Sequence, residues 1–324
     1  SYYNAIINWV KQRYDLIVTK EVINFVPGIV PGIGMAMNCF TQKGDKVMIQ
    51  PPVYHPFAWV TTRNERTLVI NPLTWENGMY RMDLDAFREQ IKGCKLFILC
   101  NPHNPGGVVW TEAELRAIAD ICYDEKVLVF SDEIHADLTL PPHTHRPFAT
   151  VSEKARMNSV TFMSPSKAFN MPGLSASHAL IFNEDLRKRF RIYMDAGELD
   201  MGHVFAFLSV EAAYSHGTEW LDQCLAYIQG NIDFVDEFLK KHAPKIKAIR
   251  PEASYLVWLD CRELELSQKD LNEFFVDKAH LALNDGEMFG KEGIGFMRLN
   301  VASPRCIIEK AMKQLADAYQ LYIK

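Results

Sequence analysis

The sequence predicts an α/β fold: a large three-layer domain on a mainly parallel sheet, followed by a smaller α+β domain at the C-terminal end. Three observations carry that prediction. Short runs that are apolar on both faces recur through residues 21–182. Helical patterns separate them, which is the arrangement of parallel strands covered on both sides. From Trp220 onward the pattern changes to one long helix, a few strands and a closing helix. The expected domains are residues 1–218 and 219–324.

Taken in order, the apolar runs are "EVINFV", the stretch after "PGIV", "KVMIQ", "RTLVI", "KLFILC", "KVLVFS", "SVTFMS" and "ASHALIF". Each has strand length and is bounded by turn residues, so each is read as a strand of the sheet. One intervening helix is well marked. Thr111 and Glu114 have the spacing of a capping box ahead of "LRAIADICYDE", which runs directly into "KVLVFS". The second half offers "WLDQCLAYIQGNIDFVDEFLKKH" as a long helix, then "KIKAIRP", "SYLVWLD", a helix after Ser267, the strand "GFMRLNV" and a helix from Pro304.

Composition narrows the function classes. With 35 basic and 40 acidic residues the formal charge is −5, so there is no basic field for nucleic acid, and a small-molecule partner is expected. The seven cysteines lack CxxC spacing, which argues against a zinc ribbon or a disulfide framework and suits a reducing cytoplasm. No apolar run reaches the length of a membrane span, and no membrane partner is expected.

Open α/β sheets bind ligands beyond the C-terminal ends of their strands, so the residues after each run are the informative ones. "NPHNPGG" (residues 101–107) follows "KLFILC", "SDEIHADL" (131–138) closes "KVLVFS", and "SPSKAFNMPG" (164–173) follows "SVTFM". An amide, a carboxylate and an amine converging on one crevice suit a pyridinium cofactor with a phosphate tail. A lysine can form a Schiff base with an aldehyde, an aspartate can hold a ring nitrogen protonated, and an amide can bond a ring oxygen. The phosphate needs donors. "FVPGIVPGIG" places Gly28, Ile29 and Val30 at a strand-to-helix turn, where free N–H groups and the helix dipole attract an anion, and Ser164 and Ser166 add hydroxyls. The glycines fit neither the Walker nor the GxGxxG spacing, so a nucleotide site is not expected. His135, His143 and His145 lie in a turn-rich stretch without a carboxylate at helical ligand spacing, and no metal is assigned to them. His55 and His103 flank the site loops as possible substrate contacts.

The combination "NPxNPxG", "SDExxxD" and "SxSK", in this order, resembles the fold-type I pyridoxal-phosphate enzymes of the class I/II aminotransferase superfamily, along nearly the whole chain. Within it, "DEIHADL", "SPSKAFN" and "MRLNVASPR" are similar to the branch containing cystathionine β-lyases and other C–S lyases. The resemblance implies pyridoxal 5'-phosphate held covalently by Lys167, which would also shuttle the substrate Cα proton. It implies Asp132 on the pyridinium nitrogen, Asn104 on the ring hydroxyl, His135 near that hydroxyl in place of the usual tyrosine, and Tyr54 stacked on the ring. Arg298 would grip the substrate α-carboxylate through a bidentate pair.

One departure stands out: the arginine expected eight residues after the lysine is Ser175. The implied reaction is β-elimination of an L-cysteine S-conjugate such as cystathionine, giving a thiol, pyruvate and ammonia. Transamination of an L-amino acid is the alternative, and a non-catalytic regulator on the same fold a further one. Family resemblance also implies a homodimer with sites near its interface. The chain opens with "SYYNAIINWV", without Met and already in a helical pattern, so an N-terminal part of the small domain is expected to be absent.

Overall fold

The computed structural model describes residues 1–322. The first half runs α1 (Tyr2–Tyr14), β1 (Ile23–Val26), α2 (Ile29–Phe40), β2 (Lys46–Ile49), α3 (Pro56–Arg63), β3 (Thr67–Ile70), a hairpin of β4 (Thr74–Glu76) and β5 (Met79–Arg81), α4 (Leu84–Gln90), β6 (Cys94–Cys100), α5 (Glu112–Asp124), β7 (Leu128–Asp132), α6 (Glu153–Met157), β8 (Ser159–Met163) and β9 (Ser177–Leu180). Then follow α7 (Glu184–Asp195), α8 (Val204–His216), α9 (Thr218–His242), β10 (Lys247–Ile249), β11 (Leu256–Asp260), α10 (Gln268–Glu273), β12 (Asn284–Asp285), β13 (Phe296–Asn300) and α11 (Arg305–Tyr322).

Seven strands form the large sheet in the order β1-β9-β8-β7-β6-β2-β3. The five strands from β8 to β3 are parallel, while β9 runs antiparallel to both β8 and β1. Alternate residues feed opposite faces. Val47, Ile49, Leu96, Ile98 and Cys100 join the core beneath α2, α3 and α7. Their neighbours Met48, Phe97 and Leu99 join the core beneath α4 and α5. Both faces are therefore covered, which is why these strands read as continuous apolar runs rather than alternating ones.

Two expectations are corrected. The stretch after "PGIV" is α2, not a strand. Its buried residues Ile29, Gly32, Ile33, Ala36 and Met37 fall at the helical spacing i, i+3, i+4, i+7, i+8. Gly32 is the point of closest approach to the sheet: a Cβ there would lie 2.9 Å from Val26 Cγ2 and 3.2 Å from a Phe162 ring carbon. "EVINFV" and "ASHALIF" are strands as expected, but they form the antiparallel edge.

The predicted capping box is present, with the Thr111 hydroxyl accepting the Glu114 N–H and the Glu114 carboxylate accepting the Thr111 N–H. A second sheet, antiparallel in the order β10-β11-β13-β12, is packed by α9 and α11 through a core that continues to α1 and α8. Among the described residues no helix is long and apolar enough to cross a membrane.

Candidate active site

Strand register decides where the functional loops meet. Cys100 on β6 is level with Asp132 on β7, which is level with Phe162 on β8. The ladder continues one step past the strands, with Asn101 N donating to Asp132 O and Glu133 N donating to Phe162 O, both at 2.9 Å. The loops carrying Asn104, Asp132 and Lys167 therefore leave the sheet at one edge. They line one cleft of about 360 Å³, together with Gly28, Ile29, Val30, Tyr54, His135, Ser166 and Arg298. That cleft contains every residue predicted to hold the cofactor or the substrate carboxylate except Ser164, whose buried hydroxyl reaches Ala176 O at 2.7 Å and accepts the Ser166 N–H at 3.1 Å. Ser164 thus braces the lysine loop and presents Ser166 to the cleft.

Asp132 is fully enclosed, and one N–H, from Ile134 at 3.1 Å, donates to its Oδ1. Burial pushes its carboxyl up to about 7, with Ile134 and Lys167 opposing and Glu133 adding to the rise. A buried carboxylate so sparsely bonded fits a cationic N–H donor brought in by a ligand. Lys167 is held below the usual lysine range by burial and by Arg298, against the pull of Asp132. His135 is pushed down to about 3 by burial, then by Lys167 and Arg298, so its ring is neutral, and its Nδ1 has no hydrogen-bond partner among the described residues.

Arg298 rises from β13 into the cleft. Its Nη1 donates to Asn104 Oδ1 and its Nη2 to Asn284 Oδ1, each at 2.8 Å, and its guanidinium lies 4.6 Å from the Phe289 ring centre. Burial lowers it to about 10, and it stays cationic at neutral pH. Two bonds to neutral amides leave that charge uncompensated and aimed at the cleft, as a carboxylate-binding group requires. Gly28 takes φ 119° at the start of α2, and the first turn of that helix, whose leading N–H groups have no intrahelical partner, lines the cleft. The residues fit pyridoxal phosphate: a carboxylate awaiting a cation, an amine free to condense, and N–H groups open to an anion.

Among the polar cleft residues that escaped sequence reasoning are Tyr255, Asn284, Asn300 and Ser177. Tyr255 precedes β11 and Asn284 pairs across strands with Arg298, so neither follows the C-terminal end of a parallel strand. The two flanking histidines are not in the cleft lining. His103 is buried with Nε2 2.8 Å from Pro52 O, and His55 packs on Trp59 with ring centres 4.4 Å apart. His145 is paired with Glu133 at 2.8 Å.

Known proteins resemble the chain along nearly all of its length. It is 38% identical over 317 residues to cystathionine beta-lyase PatB of Bacillus subtilis, covering 97% of this chain and 82% of that protein. Among solved structures, pyridoxal-phosphate-containing cystalysin from Treponema denticola superposes with a TM-score of 0.97 at 34% identity, covering 100% of this chain and 82% of that one. The PLP-bound C-S lyase from Staphylococcus hominis gives 0.91 at 33% identity, covering 98% and 81%. The pattern of the aminotransferase class I and II family matches residues 1–315, and with these relatives it places the chain in that family.

Proposed function

We propose that this chain is a pyridoxal-phosphate-dependent C–S lyase, cleaving an L-cysteine S-conjugate such as cystathionine into a thiol, pyruvate and ammonia. The observation that carries this reading is the convergence of Lys167, Asp132, Asn104 and Arg298 on one cleft, in a chain 38% identical to a cystathionine beta-lyase. Bound pyridoxal phosphate supplies an electron sink conjugated to the substrate Cα, which permits loss of the Cα proton and departure of a thiolate from Cβ.

The chain's own residues do the rest. Lys167 would hold the cofactor and would take the Cα proton of the bound substrate; its burial shifts it toward the free amine. Asp132 holds the proton on the ring nitrogen. Asn104 donates its amide N–H to the ring oxygen while its Oδ1 accepts from Arg298. Tyr54 would cover one face of the ring, and His135, neutral in its buried setting, would lie near the ring oxygen, both being residues of the cleft lining. Arg298 takes the substrate carboxylate, fixing Cα beside the lysine.

In this reading residues 1–218 form the cofactor-binding domain and 219–324 the smaller one, supported by the two separate sheets. The working form is a homodimer. Supporting it, α7, α8 and their connection carry the exposed apolar side chains Ile192, Met201, Val204, Phe205 and Leu208, and His203 Nε2 lies 3.1 Å from Leu174 O in the lysine loop. Seven free cysteines, four of them buried, suit a reducing cytoplasm.

Incubation with cystathionine while pyruvate is followed tests the reading. Pyruvate release without an added oxo acid is expected, whereas oxo-acid-dependent amino transfer with no pyruvate would identify a transaminase instead.

A further inference from the structure

Two functional turns of the cleft share an anchor that lies outside it. His135 and Lys167 each stand two residues ahead of a side chain that meets Trp9 of α1. On one side the indole Nε1 of Trp9 donates to Asp137 Oδ1 at 2.9 Å. On the other, its ring lies edge-on to Phe169 with centres 5.7 Å apart. Trp9 is 1% exposed and stacks on Tyr214 of α8, with ring centres 4.8 Å apart and planes 13° from parallel. Tyr14, at the end of α1, donates its hydroxyl to the same Asp137 oxygen and packs edge-on to His145, with ring centres 5.5 Å apart. Trp9, Tyr14 and Asp137 are not among the residues lining the cleft. Burial pushes the Asp137 carboxyl up against the opposing bonds from Tyr14 and Trp9, and among the described residues no basic side chain bonds it.

The sheet holds Asp132 directly, because Asn101 N donates to Asp132 O and Glu133 N to Phe162 O. Past Glu133 the chain leaves the ladder in a turn, where the His135 ring has no bond of its own at Nδ1. We infer that Trp9 and Asp137 are positioning residues that fix the span between His135 and Lys167 through the turns they anchor, so that α1 controls turnover from outside the site. The inference rests on the proposed pyridoxal-phosphate reading. A buried carboxyl between neutral donors adds little stability over an apolar side chain of the same volume; it supplies direction instead. Arg298 stands on the second sheet and is not part of this anchor, so substrate affinity and turnover respond to different residues. A displacement of about 1 Å at a reacting group costs on the order of a hundredfold in rate, which sets the scale of the effect.

The test compares four variants by three readouts: kinetics of pyruvate release, the rate at which apoprotein captures pyridoxal phosphate as seen in visible absorbance, and urea unfolding of the apoprotein. Asp137→Leu keeps the volume and removes both bonds; kcat is expected to fall about thirty- to a hundredfold and capture to slow about tenfold, with KM within about twofold of wild type. Trp9→Phe keeps an aromatic ring against Phe169 and Tyr214 but loses the N–H, and a kcat loss of about three- to tenfold is expected. Asp137→Asn keeps an acceptor for both donors and is expected to hold kcat within about twofold of wild type. Val10→Ala opens a cavity at a fully buried position of the same helix without breaking a side-chain bond, so it should lower the urea midpoint while leaving kcat and capture unchanged. Wild-type kcat and capture in Asp137→Leu overturn the inference, as does a kcat loss in Val10→Ala that matches its loss of stability. Where Asp137→Leu does not fold, Trp9→Phe and Asp137→Asn decide, and equal kcat in the two overturns it. If the wild-type protein captures no pyridoxal phosphate, the functional reading itself falls.

Discussion

Arg298 Nη1 donates to Asn104 Oδ1 at 2.8 Å, which ties the group expected to bind the substrate carboxylate to the group expected to bond the cofactor ring. The second terminal nitrogen is held by Asn284 Oδ1 at the same distance, across the β12–β13 pair. Both amides aim the guanidinium without neutralising it. Asn284→Ala removes one of these supports while leaving the cofactor contacts intact, so it is expected to raise KM for the amino-acid substrate about five- to tenfold with kcat changed less than about twofold. Asn284→Asp places a carboxylate against the guanidinium and is expected to raise KM further, by competing with the substrate for the same charge. Steady-state kinetics of pyruvate release check both; a fall in kcat at constant KM would assign Asn284 elsewhere.

Lys167→Ala separates chemistry from folding. The side chain is part of the cleft wall rather than of the hydrophobic cores, so its truncation is expected to leave the far-ultraviolet circular dichroism unchanged. Turnover is expected to fall by about three orders of magnitude or more, since both the covalent anchor and the Cα base are lost. Borohydride treatment followed by intact mass measurement should fix one cofactor to the wild-type chain and none to the variant. Loss of fold with loss of activity would instead make the lysine a structural residue.

The parts of the site that were legible in the sequence are those obeying a local rule. Asn104, Asp132 and Lys167 each follow an apolar run, and in a parallel sheet the ends of such runs lie together, so sequence position translates into spatial position. Asn284 and Tyr255 follow no such rule: one reaches the cleft through cross-strand pairing and the other from the start of a strand, and both depend on how the second sheet docks. Helix α2 was masked for a different reason. Its exposed positions are few, and Met35, Cys39 and Phe40 pack beside the buried stripe, so the segment reads as uniformly apolar and the helical period is hidden. Ser164 points away from the cleft because its hydroxyl is taken by Ala176 O, a tertiary contact that no local pattern announces.

Asp132 makes stability depend on pH in the empty protein. Its folded pKa of about 7 lies above the usual carboxylate value, so below about pH 4 it is protonated in both folded and unfolded states and contributes no difference. Between there and about 7 the folded state keeps a proton that the unfolded state has lost, and the stability contribution falls as pH rises. Above 7 the whole cost of a buried, sparsely bonded charge is present, on the order of a few kcal/mol. Asp132→Asn removes that cost. Apo Asp132→Asn is therefore expected to unfold at higher urea than apo wild type at pH 8, with the gap closing towards pH 4. Saturating pyridoxal phosphate should reverse the order at pH 8, because only the carboxylate pairs with the ring nitrogen. Parallel stability curves at all pH values would show that Asp132 is not ionising in this range.

Behind Asp132 lies a second carboxylate with the opposite character. Glu133 Oε1 accepts from Ser131 Oγ and Phe148 N, and its Oε2 lies 2.8 Å from His145 Nε2. The Glu133 and His145 side chains are 0% and 1% exposed, so their partnership is shielded from water and from salt. These bonds pin the 145–148 segment to the end of β7 and hold fixed the backbone from which Asp132 projects. His145→Ala leaves a buried carboxylate short of one donor and opens a cavity, and is expected to cost about 2–4 kcal/mol in urea unfolding. Glu133→Gln keeps the shape and one acceptor oxygen, and a smaller loss of about 1–2 kcal/mol is expected. Because neither side chain lines the cleft, the folded variants should keep the KM of the wild type; a raised KM with unchanged stability would show that the pair acts on the site and not on the fold.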